Sequence, residues 1–206
     1  MTSEVEEVLG RDVSRETSER LCEYVRLLKD EASRQNLIAK STIPELWSRH
    51  IADSAQLVPL ALPGTAWVDI GSGAGLPGMV VAILTGDPVT LIEPRRLRAE
   101  FLERVVRELG LKDVRVIGAK VETAKGQFDL ISARAVASAP DLLRRSAHLA
   151  HKATRFLLMK GRSAQTELEE VRRAWHGDFH LVASKTDRDA AILIAENVRR
   201  KGGGRE

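Results

Sequence analysis

Apolar and polar positions along residues 66–175 follow a rhythm that is typical of strands alternating with helices. Short apolar runs predict strands at 66–70, 89–93, 114–117, 128–132 and 154–159. Apolar residues at helical spacing predict the intervening helices at about 77–85, 95–109, 139–149 and 163–175. This order predicts an α/β protein with a mostly parallel sheet that is covered by helices on both faces.

Two further apolar segments, 179–183 and 190–195, are joined by a connection that is too short for a helix. They therefore predict an antiparallel hairpin at the edge of the sheet, which gives a seven-stranded sheet. The tail at 199–206 is basic and rich in glycine, and it is predicted to be disordered.

Residues 1–64 show helical spacing and no strand pattern. Helices are predicted at 3–9 and from about 15 to 33, the second with Ser14 as its N-cap. We therefore expect an N-terminal helical extension that packs on a sheet domain at 65–198.

Thr42 and Glu45 have the spacing of a capping box, which predicts the start of a further helix. On this helix Arg49 and Asp53 lie four residues apart, so they are close enough to form an ion pair on one surface. His50 lies beside them, and a single histidine on a helix is more often structural than catalytic.

Composition places the chain among ordinary proteins of the reducing cytosol. The single cysteine, Cys22, excludes an internal disulfide. No signal peptide is visible, and the longest uncharged run, 70–86, is too short and too rich in glycine to span a bilayer. We expect a cytoplasmic protein without a membrane partner.

The net charge of +3 is distributed unevenly along the chain. Residues 1–64 carry 8 Lys and Arg against 11 Asp and Glu, whereas residues 65–206 carry 24 against 18. A basic sheet domain favours a polyanionic substrate, because cations bind phosphates. On charge alone, a solvated surface without a partner is the simpler explanation.

The most informative stretch is Trp67-Val-Asp-Ile-Gly-Ser-Gly-Ala-Gly-Leu-Pro-Gly78. It predicts a strand, a tight glycine turn and the start of a helix, an arrangement that brings backbone close to a nucleotide-like ligand. Gly71, Gly73 and Gly75 suit this turn because glycine accepts positive φ and leaves no Cβ in the way of a ligand.

Two carboxylates flank this turn and indicate what binds there. Glu93 ends the next strand, where it can accept hydrogen bonds from two ribose hydroxyls. Asp69 precedes the turn, where it can hold an ammonium group, which a dinucleotide lacks. Together they point to S-adenosylmethionine as the cofactor. Two alternatives stay open: a dinucleotide, since Gly73 to Gly78 also match G-x-G-x-x-G, and a purely structural turn.

Other charged residues are predicted at the same edge of the sheet, because ligands of open parallel sheets bind outside the carboxyl ends of the strands. Adenine is expected near Val121 and Glu122. Arg134 and Lys160 follow later strands and are expected to face the substrate, holding a phosphate or a base carbonyl. The alternative is structural: Glu122 caps a helix, and the two cations pair with acids.

Some methylation chemistries are disfavoured by the residues present. Cys22 is far in sequence from the glycine turn, which argues against a cysteine nucleophile attacking cytosine C5. No Asn/Asp-Pro-Pro-aromatic motif follows the fourth predicted strand, which weakens methylation of an exocyclic amine. A ring nitrogen such as guanine N7 has a free lone pair and needs alignment rather than a base. The sequence shows no metal-ligand spacing, so we predict no metal cofactor.

Several motifs in order resemble the bacterial small-subunit rRNA guanine-N7 methyltransferases, also called glucose-inhibited division protein B. The resemblance covers about Asn36 to Gly161. The matching motifs are Asn36-Leu37, Arg49-His50 with Asp53-Ser54, Asp69 to Gly78, Phe101-Leu102, Arg134-Ala135 and Lys160-Gly161.

The resemblance implies a Rossmann-like class I methyltransferase that modifies a guanine in the decoding-centre loop of 16S rRNA, in the context of the small ribosomal subunit. It also implies that Gly71, Leu76, Val121, Glu122 and Arg134 contact S-adenosylmethionine. We expect a monomer.

The same resemblance places the segment from Arg49 to Ser54 in the wall of the active site, which makes His50 a catalytic candidate beside Arg134 and Lys160. One departure from the family pattern is Lys120, where the family usually has arginine; lysine cannot form a bidentate contact. Two other functions stay open: a small-molecule methyltransferase, and a donor-binding module without catalysis.

Overall fold

The computed structural model describes residues 2–201, and its centre is one seven-stranded sheet. The strands are β1 (Trp67–Ile70), β2 (Val89–Ile92), β3 (Val114–Ile117), β4 (Phe128–Arg134), β5 (Ala150–Lys160), β6 (Trp175–Ala183) and β7 (Ala191–Arg200). Their order across the sheet is β3-β2-β1-β4-β5-β7-β6. The first five strands are parallel, and β7 runs antiparallel to both β5 and β6. The predicted α/β sheet with its edge hairpin is confirmed.

Helices cover both faces of this sheet. They are α1 (Ser3–Leu9), α2 (Arg15–Ala32), α3 (Asp53–Ala55), α4 (Gly78–Thr85), α5 (Arg96–Glu108), α6 (Ala139–Ser146) and α7 (Ala164–Ala174). A π-helix, Trp47–Ala52, runs directly into α3. Single 3₁₀ turns occupy Lys40–Thr42, Val58–Leu60, Val121–Thr123 and Ala147–Leu149.

The N-terminal helices complete the core on one face of the sheet. Helix α4 is apolar on all sides and buried from Gly78 to Leu84, because it lies between the sheet and the N-terminal segment. Leu21 and Leu28 of α2 are fully buried in the same cluster as α4. An ion pair between Glu31 and Arg104, 2.8 Å long, also joins α2 to α5.

The predicted capping box at Thr42 is wrong. The Thr42 hydroxyl donates to the carbonyl oxygen of Ala39 and contacts His50 Nε2, so it does not cap the following helix. The predicted pair of Arg49 with Asp53 is also absent among the described residues. Arg49 lies 3.7 Å from Glu45 instead, and Asp53 binds a residue of the sheet.

The predicted disordered tail is partly wrong. Arg199 and Arg200 are the last residues of β7, where they pair with His176 and Trp175 of β6. Residues 202–206 of the predicted tail lie outside the described part of the chain.

Gly78, where α4 begins, is packed too closely for a side chain. A Cβ there would lie 2.6 Å from Asp69 Cβ and closer still to Leu91 Cδ2. We expect Gly78→Ala to lower the free energy of unfolding by about 1–3 kcal/mol, because the strand and the helix must separate. Urea denaturation measures this. Gly161→Ala is the control, since no atom lies within 4 Å of that Cβ position; equal stability of the two variants would contradict the prediction.

Candidate active site

The glycine turn after β1 has the backbone that its sequence predicts. Gly71, Gly73 and Gly75 adopt φ values of +65°, +57° and +97°, a region that side chains other than glycine rarely enter. The amides of Gly71 and Ser72 donate to Ile92 O at 2.8 and 3.0 Å, which ties the turn to the end of β2. Three residues of left-handed backbone therefore lie at the carboxyl edge of the two central strands.

Glu93 lies directly beside this turn. Its Oε2 accepts from the Gly73 amide at 2.9 Å, and its Oε1 accepts from the Arg95 amide at 2.9 Å. The residue is 3% exposed. Because an ionised carboxylate offers about four acceptor sites, the two remaining sites can receive hydroxyl groups of a ligand. Glu93 can therefore accept hydrogen bonds from a ribose at the predicted place, and this contact stays a prediction.

Asp69 is turned into the protein. It is 0% exposed; its Oδ2 accepts from the Gly78 amide at 3.2 Å and its Oδ1 from the Ser132 hydroxyl at 2.7 Å. Burial raises the pKa of Asp69 to about 6, against these hydrogen bonds, which lower it. The carboxylate thus joins β1, β4 and the start of α4. Contact between Asp69 and a ligand's ammonium group stays a prediction.

The loop after β4 borders the same turn. A Cβ on Gly71 would lie 2.7 Å from Val136 Cγ2, so the loop and the glycine turn are in contact. Ala135 adopts φ +55°, an unusual conformation for a residue with a side chain. Such strained positions concentrate at functional sites, where surrounding structure holds them. β4 also extends two residues further than predicted, to Arg134.

Arg134 is held by the π-helix and α3. Its Nη1 lies 3.1 Å from Asp53 Oδ2 and 3.5 Å from the Arg49 carbonyl oxygen, and its Nη2 lies 3.4 Å from His50 Nδ1. The Arg134 and Asp53 side chains are 19% and 17% exposed. The structure therefore brings together Arg134 and His50, two of the three predicted catalytic residues.

The hydrogen bonds of His50 specify a neutral ring. The Thr42 hydroxyl donates to Ala39 O, so it accepts from His50 Nε2–H at 2.8 Å, and the Nδ1 lone pair accepts from Arg134. Burial, followed by the charges of Arg134 and Arg49, lowers the pKa of His50 to about 4. His50 is consequently uncharged at pH 7, and its one lone pair is already used.

A cavity of about 840 Å³ opens beside Arg134, between the ends of β4 and β5 and the connection from β6 to β7. It is of the size that ordinarily encloses a small ligand. Four cations contribute to its wall, namely Arg49, Arg134, Lys160 and Arg188.

Lys160, at the end of β5, forms a buried ion pair in this cavity wall. Its Nζ lies 2.9 Å from Glu167 Oε2 and donates to Ala137 O at 2.7 Å. Burial raises the pKa of Glu167, but hydrogen bonds from Lys160, Ser163 and the Ala139 amide leave it below its ordinary value. The Lys160 charge is thus compensated, and its contact with substrate stays a prediction.

The remaining predicted cofactor residues are Leu76, Val121 and Glu122. Leu76 and Val121 are each 4% exposed. Glu122 is exposed and pairs with Arg145 of α6 at 2.6 Å, which holds the pKa of this carboxyl below its usual range. Cofactor contacts of these three residues stay predictions.

Sequence reasoning missed two groups that hold the site. Tyr24 of α2 is fully buried, and its hydroxyl donates to Ala74 O in the glycine turn at 2.8 Å. Its position beside the apolar stripe of α2 indicated packing alone. The second group, Gln56 and Thr186, binds Asp53 from separate segments. Gln56 lies three residues after Asp53, a spacing that places both on one side of a helix, whereas nothing in the sequence linked Thr186 to Asp53.

Residues 2–201 contain no cluster of three or more His, Cys, Asp or Glu that is placed to hold a metal ion. None of the helices in this range has the length and apolar character needed to cross a membrane.

Comparison with known proteins identifies relatives over most of the chain. The family model GidB, described as rRNA small subunit methyltransferase G, matches residues 17–188. A protein of that name from Zymomonas mobilis is 45% identical over 92% of this chain and 90% of its own length. The one from Rhizorhabdus wittichii is 47% identical over 94% of this chain and 92% of its own length.

Solved structures share the fold at much lower identity. A ribosomal protein L11 methylase from Lactobacillus delbrueckii has a TM-score of 0.59 and 15% identity over 72% of this chain and 79% of its own. A SAM-dependent methyltransferase from Aquifex aeolicus also has a TM-score of 0.59 and 15% identity, over 74% of this chain and 92% of its own. The chain therefore has the fold of class I methyltransferases.

The environment of His50 predicts a measurable titration. By NMR, its ring should titrate near pH 4, below the ordinary 6.5. Arg134→Ala should raise this pKa, because one of the nearby cations is removed. Arg15→Ala, which removes an exposed arginine of α2, is the control. A wild-type midpoint near 6.5 would show that the ring is solvated and the prediction is wrong.

The same pKa predicts acid sensitivity. A histidine whose pKa is lower in the folded state stabilises the fold above its unfolded pKa, and this stabilisation is lost as the pH falls through the folded value. Between pH 6.5 and 4, the free energy of unfolding should fall more steeply for the wild type than for His50→Gln. Parallel pH profiles in urea denaturation would contradict this.

Proposed function

Since the chain belongs to the GidB family of rRNA small subunit methyltransferases, we propose that it methylates N7 of a guanine in the decoding-centre loop of 16S rRNA. It is an S-adenosylmethionine-dependent methyltransferase. The structural observation that carries the proposal is the left-handed glycine turn with Glu93 bound to its Gly73 amide. The family assignment replaces the dinucleotide alternative.

The residues around the glycine turn are suited to binding the methyl donor, S-adenosylmethionine. Gly73 leaves its backbone open, because the nearest atoms to a Cβ there lie 3.7 Å away, and Glu93 retains acceptor sites for the two ribose hydroxyls. Val121, Glu122, Leu76 and Arg134 would complete the binding site, as the family resemblance implies. When bound, S-adenosylmethionine supplies an electrophilic methyl group.

The cavity beside the turn suits a nucleophile that carries no proton. Guanine N7 has a free lone pair, so the enzyme needs to align it and match charge. In keeping with this, His50 is neutral with its lone pair occupied, and Lys160 is paired with Glu167. Neither group is suited to removing a proton.

The substrate is proposed to be rRNA within the small ribosomal subunit or an assembly intermediate, bound in the cytoplasm by a monomer. The basic sheet domain, with 24 Lys and Arg against 18 Asp and Glu over residues 65–206, supports a polyanionic substrate. In the cavity wall, four cations stand against three acids, Asp53, Glu167 and Asp187. A small-molecule substrate is the second candidate, because a cavity of about 840 Å³ can hold an isolated nucleotide.

Glu93 gives the first test of donor binding. We expect calorimetry to show S-adenosylhomocysteine binding at micromolar level or tighter, and Glu93→Ala to weaken it at least about tenfold by removing acceptors for two hydroxyls. Asp69→Ala should weaken it similarly through the shape of the turn. Glu100→Ala, an exposed carboxylate of α5, is the control. Unchanged affinity in Glu93→Ala would remove this residue from the donor site.

Methyl-transfer assays separate the two substrates. Small subunits, naked 16S rRNA and free guanosine nucleotides would each be incubated with the enzyme, and N7-methylguanosine in the RNA mapped by borohydride–aniline cleavage. We expect one modified guanine in the decoding-centre loop, with activity that falls steeply as salt increases. Turnover of free nucleotides without modification of either RNA would favour the small-molecule alternative.

A further inference from the structure

We propose that Thr186, on the connection between β6 and β7, is a positioning residue that orients Arg134 through Asp53. The inference rests on the proposed function, in which Arg134 contacts the methyl donor. Thr186 is 133 residues from Asp53 in sequence, yet its hydroxyl donates to Asp53 Oδ1 at 2.7 Å.

The two oxygens of Asp53 have separate partners. Oδ1 accepts from Thr186 Oγ1 and, at 2.8 Å, from Gln56 Nε2. Oδ2 faces Arg134 Nη1 at 3.1 Å. Since two neutral donors fix Oδ1, the direction of Oδ2 is fixed as well. The guanidinium of Arg134 is oriented by its contact with Oδ2. A carboxylate without those donors would be free to rotate about its side-chain bonds.

The connection between β6 and β7 is itself anchored. Gln56, which is 4% exposed, accepts from the Lys185 amide at 3.1 Å and donates to Ser184 Oγ at 3.2 Å. Lys185 Nζ donates to Val8 O, near the end of α1, at 2.6 Å. Thr186 is therefore presented to Asp53 by a segment that is bound to the N-terminal helices at two points.

A change in the direction of the Arg134 side chain would alter the contacts beside the glycine turn. Arg134 immediately follows Ala133, which pairs with Ile70, the last residue of β1. The backbone of Arg134 is fixed by the sheet, so the direction of its side chain depends on the contacts of the guanidinium. Those contacts are Asp53, the Arg49 carbonyl and His50, and only the Asp53 contact carries an opposite charge.

The test compares Thr186→Val, which keeps the shape and removes the hydroxyl, with Thr186→Ser, which keeps the hydroxyl. We expect Thr186→Val to weaken S-adenosylhomocysteine binding about tenfold by calorimetry, and Thr186→Ser to stay within about twofold of wild type. Thr65→Val is the matched control, because the Thr65 hydroxyl donates to Leu62 O in its own turn before β1. If Thr186→Val folds poorly, Asp53→Asn should give the same loss of affinity.

A second comparison separates positioning from a general loss of structure. In an Arg134→Ala background, Thr186→Val should change the affinity by less than about twofold, since the residue that it positions is absent. A tenfold effect that persists in that background would overturn the proposal, and so would wild-type affinity in Thr186→Val when Arg134→Ala is impaired. Wild-type affinity and turnover in Arg134→Ala would instead remove the assigned role of Arg134, and the inference with it.

Discussion

The active site depends on one buried carboxylate that holds the glycine turn in place. Asp69 joins β1 to the start of α4 through the Gly78 amide and to β4 through Ser132, whose hydroxyl also accepts from the Trp67 indole. Burying a carboxylate is costly unless it is hydrogen-bonded, and each bond here comes from a different element. The turn, the helix and two strands are therefore fixed relative to one another before any ligand is bound.

Segments outside the sheet brace this central arrangement. Tyr24 of the N-terminal extension supports the turn from one side, while Gln56 and Thr186 support Asp53 and Arg134 from another. The parallel sheet supplies backbone positions at its carboxyl edge, but the direction of the Arg134 side chain comes from the extension and the edge hairpin. This division explains why a common fold carries so many different activities.

Local patterns in the sequence predicted the sheet, most helices and the glycine turn, because strand periodicity and the need for positive φ are properties of neighbouring residues. Candidate site residues were predicted where they lie at strand ends, as with Glu93 and Arg134. Their partners were not, since they come from far along the chain: Asp53 pairs with Arg134, not Arg49. The capping box failed for a local reason, since the Thr42 hydroxyl binds Ala39 O and His50 and does not cap the following helix.

The hydrogen bond from Tyr24 to Ala74 links occupancy of the site to docking of the second helix. A ligand that binds only the ordered turn must, by thermodynamic reciprocity, make detachment of that helix less favourable. The backbone amides of α2 would then exchange more slowly with deuterium when such a ligand is present.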